Sequence, residues 1–109
     1  MLARQPCYYA NVIHSFRTAG AEDIFNGLDS KRARRACSQL LWRVARRKLE
    51  YLDSARSLED LRSPPANRLE ALKKDRIGQH SIRVNDQYRI CFEWSDIGPI
   101  NVEIVDYHS

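Results

Sequence analysis

The sequence has 109 residues, 43% hydrophobic, 29% charged and 9% aromatic, the balance of one ordinary globular domain. That composition excludes a collagen-like, disordered or disulfide-framed chain, and no apolar run approaches the ~18 residues that cross a bilayer. Eighteen Lys and Arg against 14 Asp and Glu give a formal charge of +4, which favours a polyanionic partner: nucleic acid, an anionic membrane or an acidic protein. The charge is unevenly spread. Lys31, Arg32, Arg34, Arg35, Arg43, Arg46, Arg47 and Lys48 fall between Ser30 and Glu50 with no acid among them, while Asp75, Asp86, Glu93, Asp96, Glu103 and Asp106 lie later.

The stretch from Met1 to Val12 carries a single Arg and no apolar core, so it does not read as a secretory signal. Val12 to Phe16 reads as a first strand. Thr18 is the predicted N-cap of a short helix with Glu22 and Asp23 in its first turn, Ile24, Phe25 and Leu28 as its apolar side, and Gly27 as its stop. Asp29 or Ser30 caps a second, longer helix whose apolar positions (Ala33, Ala36, Cys37, Leu40, Leu41, Val44, Leu49 and Leu52) recur at spacings of three and four, with Lys and Arg on the remaining face. Ser57 to Leu61 adds a further turn, and Pro64-Pro65 is expected to end helical structure outright.

Beyond Pro65 the period changes to two. Strands are predicted at Arg68 to Leu72, His80 to Val84, Tyr88 to Trp94 and Ile100 to Ile104, the last two joined by a turn containing Asp96, Gly98 and Pro99. The fold class is therefore α+β, with two N-terminal helices on one face of a mostly antiparallel sheet of four to five strands. A two-residue turn at Asn85-Asp86 would set Val84 opposite Gln87 and mix core with charge. A three-residue loop, Asn85 to Gln87, pairs Val84 with Tyr88, Ile82 with Ile90, His80 with Phe92, and Arg83 with Arg89. The second register segregates apolar from polar side chains and is the one predicted. It also sets two arginines face to face, a first hint of a phosphate site.

Cys7, Cys37 and Cys91 are far apart and form no C-x-x-C pair, so they read as small buried thiols of a reducing cytoplasm. His14, His80 and His108 have no metal-ligand spacing with each other or with the cysteines, and no cofactor or metal is expected.

Leu69-Glu-Ala-Leu-Lys-Lys-Asp-Arg-Ile-Gly78, then Ser81-Ile-Arg-Val-Asn-Asp-Gln-Tyr-Arg-Ile-Cys-Phe92, then Asp106-Tyr-His108 together resemble the HigB-type toxins of the RelE-like toxin–antitoxin superfamily, the plasmid-maintenance killer proteins. Ile13 to Phe16 is similar to the family's opening Ile-x-Ser-Phe. The resemblance implies a fold like that of microbial ribonucleases and a single toxin domain over 12–109. Residues 1–11 would then be an N-terminal extension, with Val12 where relatives begin.

It also implies ribosome-dependent cleavage of mRNA in the cytoplasm, by metal-free attack of a ribose 2′-OH on the adjacent phosphate. Its partners would be the ribosome, mRNA and a cognate helix-turn-helix (HigA-like) antitoxin. DNA would be met only through the antitoxin complex, and no membrane is involved.

On that resemblance His108 is the general acid or base, Asp106 orients it, and Tyr107 offers a hydroxyl or a stacking ring. Arg89 is the phosphate clamp and Lys73 a second catalytic cation. Some relatives carry a histidine three residues before that lysine, followed by proline. Here Glu70 and Ala71 stand there, and Glu70 is a candidate base. Lys74 stands where many relatives have glycine. Arg76, Arg83 and Lys74 are candidate RNA contacts. The readings from other classes are a non-catalytic RNA- or ribosome-binding module, and a co-repressor that acts only with the antitoxin.

Overall fold

The computed structural model describes residues 12–107; the extension, residues 1–11, and His108 lie outside the described residues. Thr18 opens the first helix, its hydroxyl accepting from the Ala21 N–H at 3.3 Å. Helix α1 runs over Ala19–Phe25 and stops at Asn26, after which Gly27, with φ at 77°, turns the chain away. Ser30 caps α2 (Lys31–Ala36), accepting from the Ala33 N–H at 3.0 Å. The two helices lie very close, because a Cβ on Gly20 would stand 2.5 Å from the Arg32 carbonyl oxygen.

The single long helix expected beyond Ser30 is broken. Cys37 is fully extended, and the Ser38 hydroxyl accepts from the Leu40 N–H to start a 3-10 turn, Gln39–Leu41, that leads into α3 (Trp42–Ser54). A serine offers backbone groups a local partner that competes with the helix, and apolar spacing cannot register that competition. The Trp42 indole N–H donates to the Cys37 carbonyl at 3.0 Å and holds the break. The described residues thus hold three α-helices where two were expected.

The further turn expected at Ser57 to Leu61 is a 3-10 turn, Leu58–Arg62, on which Ser57 and Asp60 form a capping box. The two prolines do not end helical structure outright. A further 3-10 turn, Pro65–Asn67, follows because proline is tolerated in a first turn, where its missing N–H is not needed.

The sheet is antiparallel throughout, in the order β1 (Glu70–Ala71), β2 (Gln79–Arg83), β3 (Tyr88–Ser95) and β4 (Gly98–Asp106). The hairpin has the predicted register, with His80 opposite Phe92, Ile82 opposite Ile90 and Arg83 opposite Arg89. The strand expected at Arg68 to Leu72 shrinks to two residues, since Arg68 is left-handed at φ 47°.

Val12 to Phe16 is not a regular strand. It docks on the free edge of β4 through one parallel bridge, Phe16 to Val102, and bonds from His14 N–H to Pro99 O (2.9 Å) and Val102 N–H to Ser15 O (3.1 Å). The ladder fails there because β4 bulges at Asn101 (φ 54°), whose N–H goes to the Ser15 hydroxyl instead.

The helices cover one sheet face, α1 against β4 and α3 against β3. Between the layers lie Ile24, Leu49, Leu52, Leu61, Ile82, Ile90, Phe92 and Val102, all buried. Among the described residues no helix is long and apolar enough to cross a membrane. Cys37 and Cys91 are buried, and burial pushes each thiol up to about 11, so both stay protonated at neutral pH.

Where α1 meets α2, buried Asp23 accepts from the Ser30 hydroxyl at 2.6 Å and from Arg32 Nε and Nη2, each at 3.1 Å. The Ser30 bond, with the Arg32 guanidinium behind it, holds this carboxyl below its ordinary 3.8 although burial pushes it up. A depressed carboxyl stabilises the fold fully above its unfolded value, and the benefit is lost as pH falls through the lower folded value. Asp23→Asn should therefore lose stability at neutral pH and converge on the parent below pH 3.8, which paired thermal melts along a pH series would show.

Candidate active site

Alternation along β2 and β3 sends Ser81, Arg83, Arg89 and Cys91 to the sheet face opposite the helices. Glu70 joins them, because it pairs with Ser81. A cleft of about 580 Å3 opens on this face, lined by Arg68, Glu70, Arg83, Arg89 and Tyr107, with Asn85 and Asp86 of the hairpin loop at its margin.

Arg89 is the fixed element of the cleft. Its Nε donates to the Ser81 hydroxyl at 2.7 Å and its Nη2 to the Arg68 carbonyl at 2.6 Å. Glu70 Oε1 stands 3.5 Å from the same Nη2, and the arginine side chain is only 13% exposed. These contacts use one edge of the guanidinium. Nη1 has no hydrogen-bond partner among the described residues, so its two N–H groups remain to donate to an anion.

Arg83 faces Arg89 across the hairpin, and the repulsion expected there is relieved by Asp86, which forms a close ion pair with Arg83. Among the described residues, three guanidiniums and two carboxylates give the lining one net positive charge, and both acids are exposed at its edge. Tyr107 is held by its N–H donating to the Gln87 carbonyl at 2.6 Å, with its side chain exposed in the cleft. A site of this make-up can bind a phosphate through fixed guanidinium donors, offer a carboxylate as proton acceptor, and stack a base.

The other candidates stand elsewhere. Lys73 and Lys74 are exposed on the turn after β1, outside the lining of the cleft. Arg76 is taken up by the sheet: its Nη1 donates to Glu103 and to Gln79, each at 3.0 Å, and the Glu103 bond raises its affinity for its proton. Asp106 pairs with Tyr88 in the ladder and lies in a hollow on the helix side beside Arg32 and Arg35, accepting from Gln87 Nε2 at 3.1 Å. His108 is outside the described residues. Among the described residues no three His, Cys, Asp or Glu side chains form a cluster able to hold a metal.

Arg68 lines the cleft and was not singled out from the sequence. Two steps back from Glu70 on the same face, it falls opposite Arg83 if the predicted strand is carried to its first residue. The alternation therefore contained the signal.

Lys74 has φ at 54°, in the left-handed region where a Cβ costs about 1–2 kcal/mol. Glycine there removes the strain and adds unfolded-chain entropy of about 0.4–1 kcal/mol, so Lys74→Gly should raise stability by about 0.5–1 kcal/mol in urea melts.

The family model of the HigB-like toxins, the RelE-like toxin of the type II toxin–antitoxin system HigB, matches residues 14–108. The chain belongs to this family. Within it, the chain is 56% identical over 50 residues to Toxin HigB-1 of Vibrio cholerae, a stretch that covers 46% of this chain and 53% of that one. It is 41% identical over 69 residues to an uncharacterized protein of Haemophilus influenzae, covering 63% of this chain and 67% of the other. The match thus spans about half the length of the Vibrio relative. Membership of the HigB-like family agrees with an α+β fold whose helices cover one face of an antiparallel sheet and leave the other open.

Proposed function

We propose that this chain is the toxin of a type II toxin–antitoxin pair and acts as an endoribonuclease on mRNA in translating ribosomes. The observation that carries the reading is the Arg89 guanidinium, gripped along one edge by Ser81 and Arg68 and open along the other, in a cleft shared with Glu70, Arg83 and Tyr107. In the proposed reaction the ribose 2′-oxygen attacks the adjacent phosphorus, a base takes the 2′ proton, and the P–O5′ bond breaks as an acid protonates the leaving oxygen. The products are a 2′,3′-cyclic phosphate and a 5′-hydroxyl, and no metal takes part.

Arg89 donates to the phosphorane, where fixed donors act most strongly as charge develops, and Arg83 and Arg68 hold flanking phosphates. Glu70 is the nearest carboxylate to that clamp and is assigned the 2′ proton. His108, with Asp106 orienting it, is assigned the leaving oxygen, and Tyr107 stacks a base. Lys73 and Lys74 add cations for the RNA backbone. The chain acts in the cytoplasm, binds a cognate antitoxin, and meets DNA only in that complex.

The test is induced expression without antitoxin, reading growth alongside primer extension on a reporter mRNA. Arrest with discrete cuts that require translation is the expected result, weakened by Glu70→Gln. An intact message from soluble, folded chain overturns the nuclease, and salt-dependent RNA binding without cleavage would replace it with a binding module.

A further inference from the structure

A second hollow, of about 660 Å3, lies on the helix side between the end of α1 and α3. Its apolar lining is Ile24, Leu28 and Trp42, and its charged lining is Arg43, Arg46 and Arg47 with the single acid Glu50. At spacings of three and four, those arginines share one face of α3 and repel one another. Arg43 and Arg47 have no carboxylate partner among the described residues. Arg46 has only Glu50, at 3.8 Å between exposed groups.

Leu28 is 52% exposed, held out by the Gly27 turn, so an apolar side chain and a tryptophan meet solvent inside a basic frame. Gly27 also keeps that end open: a Cβ there would lie 3.3 Å from Arg46 Nη1, on a backbone at φ 77° that disfavours one.

We propose that this groove seats an acidic amphipathic segment of a protein partner, its apolar side chains on Ile24, Leu28 and Trp42 and its carboxylates on Arg43, Arg46 and Arg47. RNA phosphates would use the cations and leave the apolar lining wet, whereas an amphipathic helix uses both. The groove lies on the helix side, away from the Arg89 cleft, so its occupant leaves that cleft open. The identity of the partner rests on the reading above: for a toxin, it is the cognate antitoxin.

The experiment titrates the full-length chain, as Leu28→Asp and as Arg43→Glu/Arg47→Glu, with purified cognate antitoxin and separately with a short oligouridylate. All three positions are exposed, so melting temperatures should match the parent. Both variants should bind antitoxin about tenfold or more weakly, and Leu28→Asp should bind oligouridylate like the parent. Three results overturn the proposal. One is unchanged antitoxin affinity in both variants. Another is loss of oligouridylate alone in the charge-reversed variant, which would make the groove an RNA surface. The third is a homodimer that Leu28→Asp dissolves while antitoxin affinity holds. Growth arrest by each variant without antitoxin, read in parallel, tests the nuclease by itself, so a groove that binds antitoxin on a chain that never arrests growth overturns only the toxin reading.

Discussion

Replacing Arg89 with lysine should slow mRNA cleavage at least about a hundredfold, while costing the fold no more than about 1–2 kcal/mol. Charge is conserved in this change, so the loss measures geometry. The guanidinium reaches Ser81 through Nε and the Arg68 carbonyl through Nη2, which fixes the plane in which Nη1 presents its N–H groups. An ammonium has its donors on one rotating centre and can satisfy either the buried Ser81 hydroxyl or a phosphate oxygen, not both at the right distance. The stability cost is small because only Ser81 is buried; Arg68 is at the surface, where water can replace the lost bond. Single-turnover cleavage on programmed ribosomes, with urea melts of the same preparations, separates the two effects. A lysine variant that cuts at the parent rate would show that charge alone suffices and that the fixed edge is not the clamp. Arg83→Lys is the internal control: Arg83 is paired with the exposed Asp86 and should lose much less.

How much of this was legible from sequence follows from what each residue competes with. The hairpin register was legible, because a one-residue slip would have put Gln87 opposite Val84 and exposed the core face. With the register came Arg83 opposite Arg89, whereas Glu70 and Tyr107 entered only through the family resemblance, and the cleft that gathers all four is seen only in the fold. The break at Cys37 was not legible, since it depends on a serine hydroxyl and an indole N–H that apolar spacing ignores. Arg76 read as a basic residue near a turn, and only the folded sheet shows Glu103 and Gln79 closing on it. Lys48 sits inside a run of cations and read as part of a solvated helix face. In the fold it is 8% exposed, turned inward beside Leu49, with its ammonium bonded to Asn67. A buried cation whose partner is a neutral amide carries no charge pattern by which to find it.

That pair sets the largest expected effect on stability. Asn67→Ala should destabilise the chain by about 2–4 kcal/mol and lower its melting temperature by about 10–25 °C. Asn67 is fully buried: its Oδ1 accepts from Lys48 Nζ at 2.7 Å, and its Nδ2 donates to the Leu61 and Ser63 carbonyls at 3.1 and 3.3 Å. Among the described residues, alanine leaves the ammonium with only the Tyr51 ring, 5.7 Å away, and it strips both carbonyls of a donor. Burial, with Arg47 and Arg83 adding to it, already holds the Lys48 ammonium below its ordinary 10.5, so the charged form is penalised in the fold. The penalty is complete below the lowered folded value and disappears as pH rises through it toward 10.5, because the folded lysine sheds its proton first. Losing Asn67 enlarges the penalty, so the gap between parent and variant should narrow in alkaline melts, which loss of packing alone would not produce. Lys48→Met combined with Asn67→Leu should recover the part of the loss that comes from the ammonium, since an apolar pair leaves no buried charge to satisfy, while the Leu61 and Ser63 carbonyls stay without their donor. The same variant tests the link to the cleft. Asn67 precedes the residue whose carbonyl anchors Arg89, so cleavage by Asn67→Ala should fall even at temperatures where the chain is fully folded, as the Arg68 oxygen drifts from the guanidinium it holds.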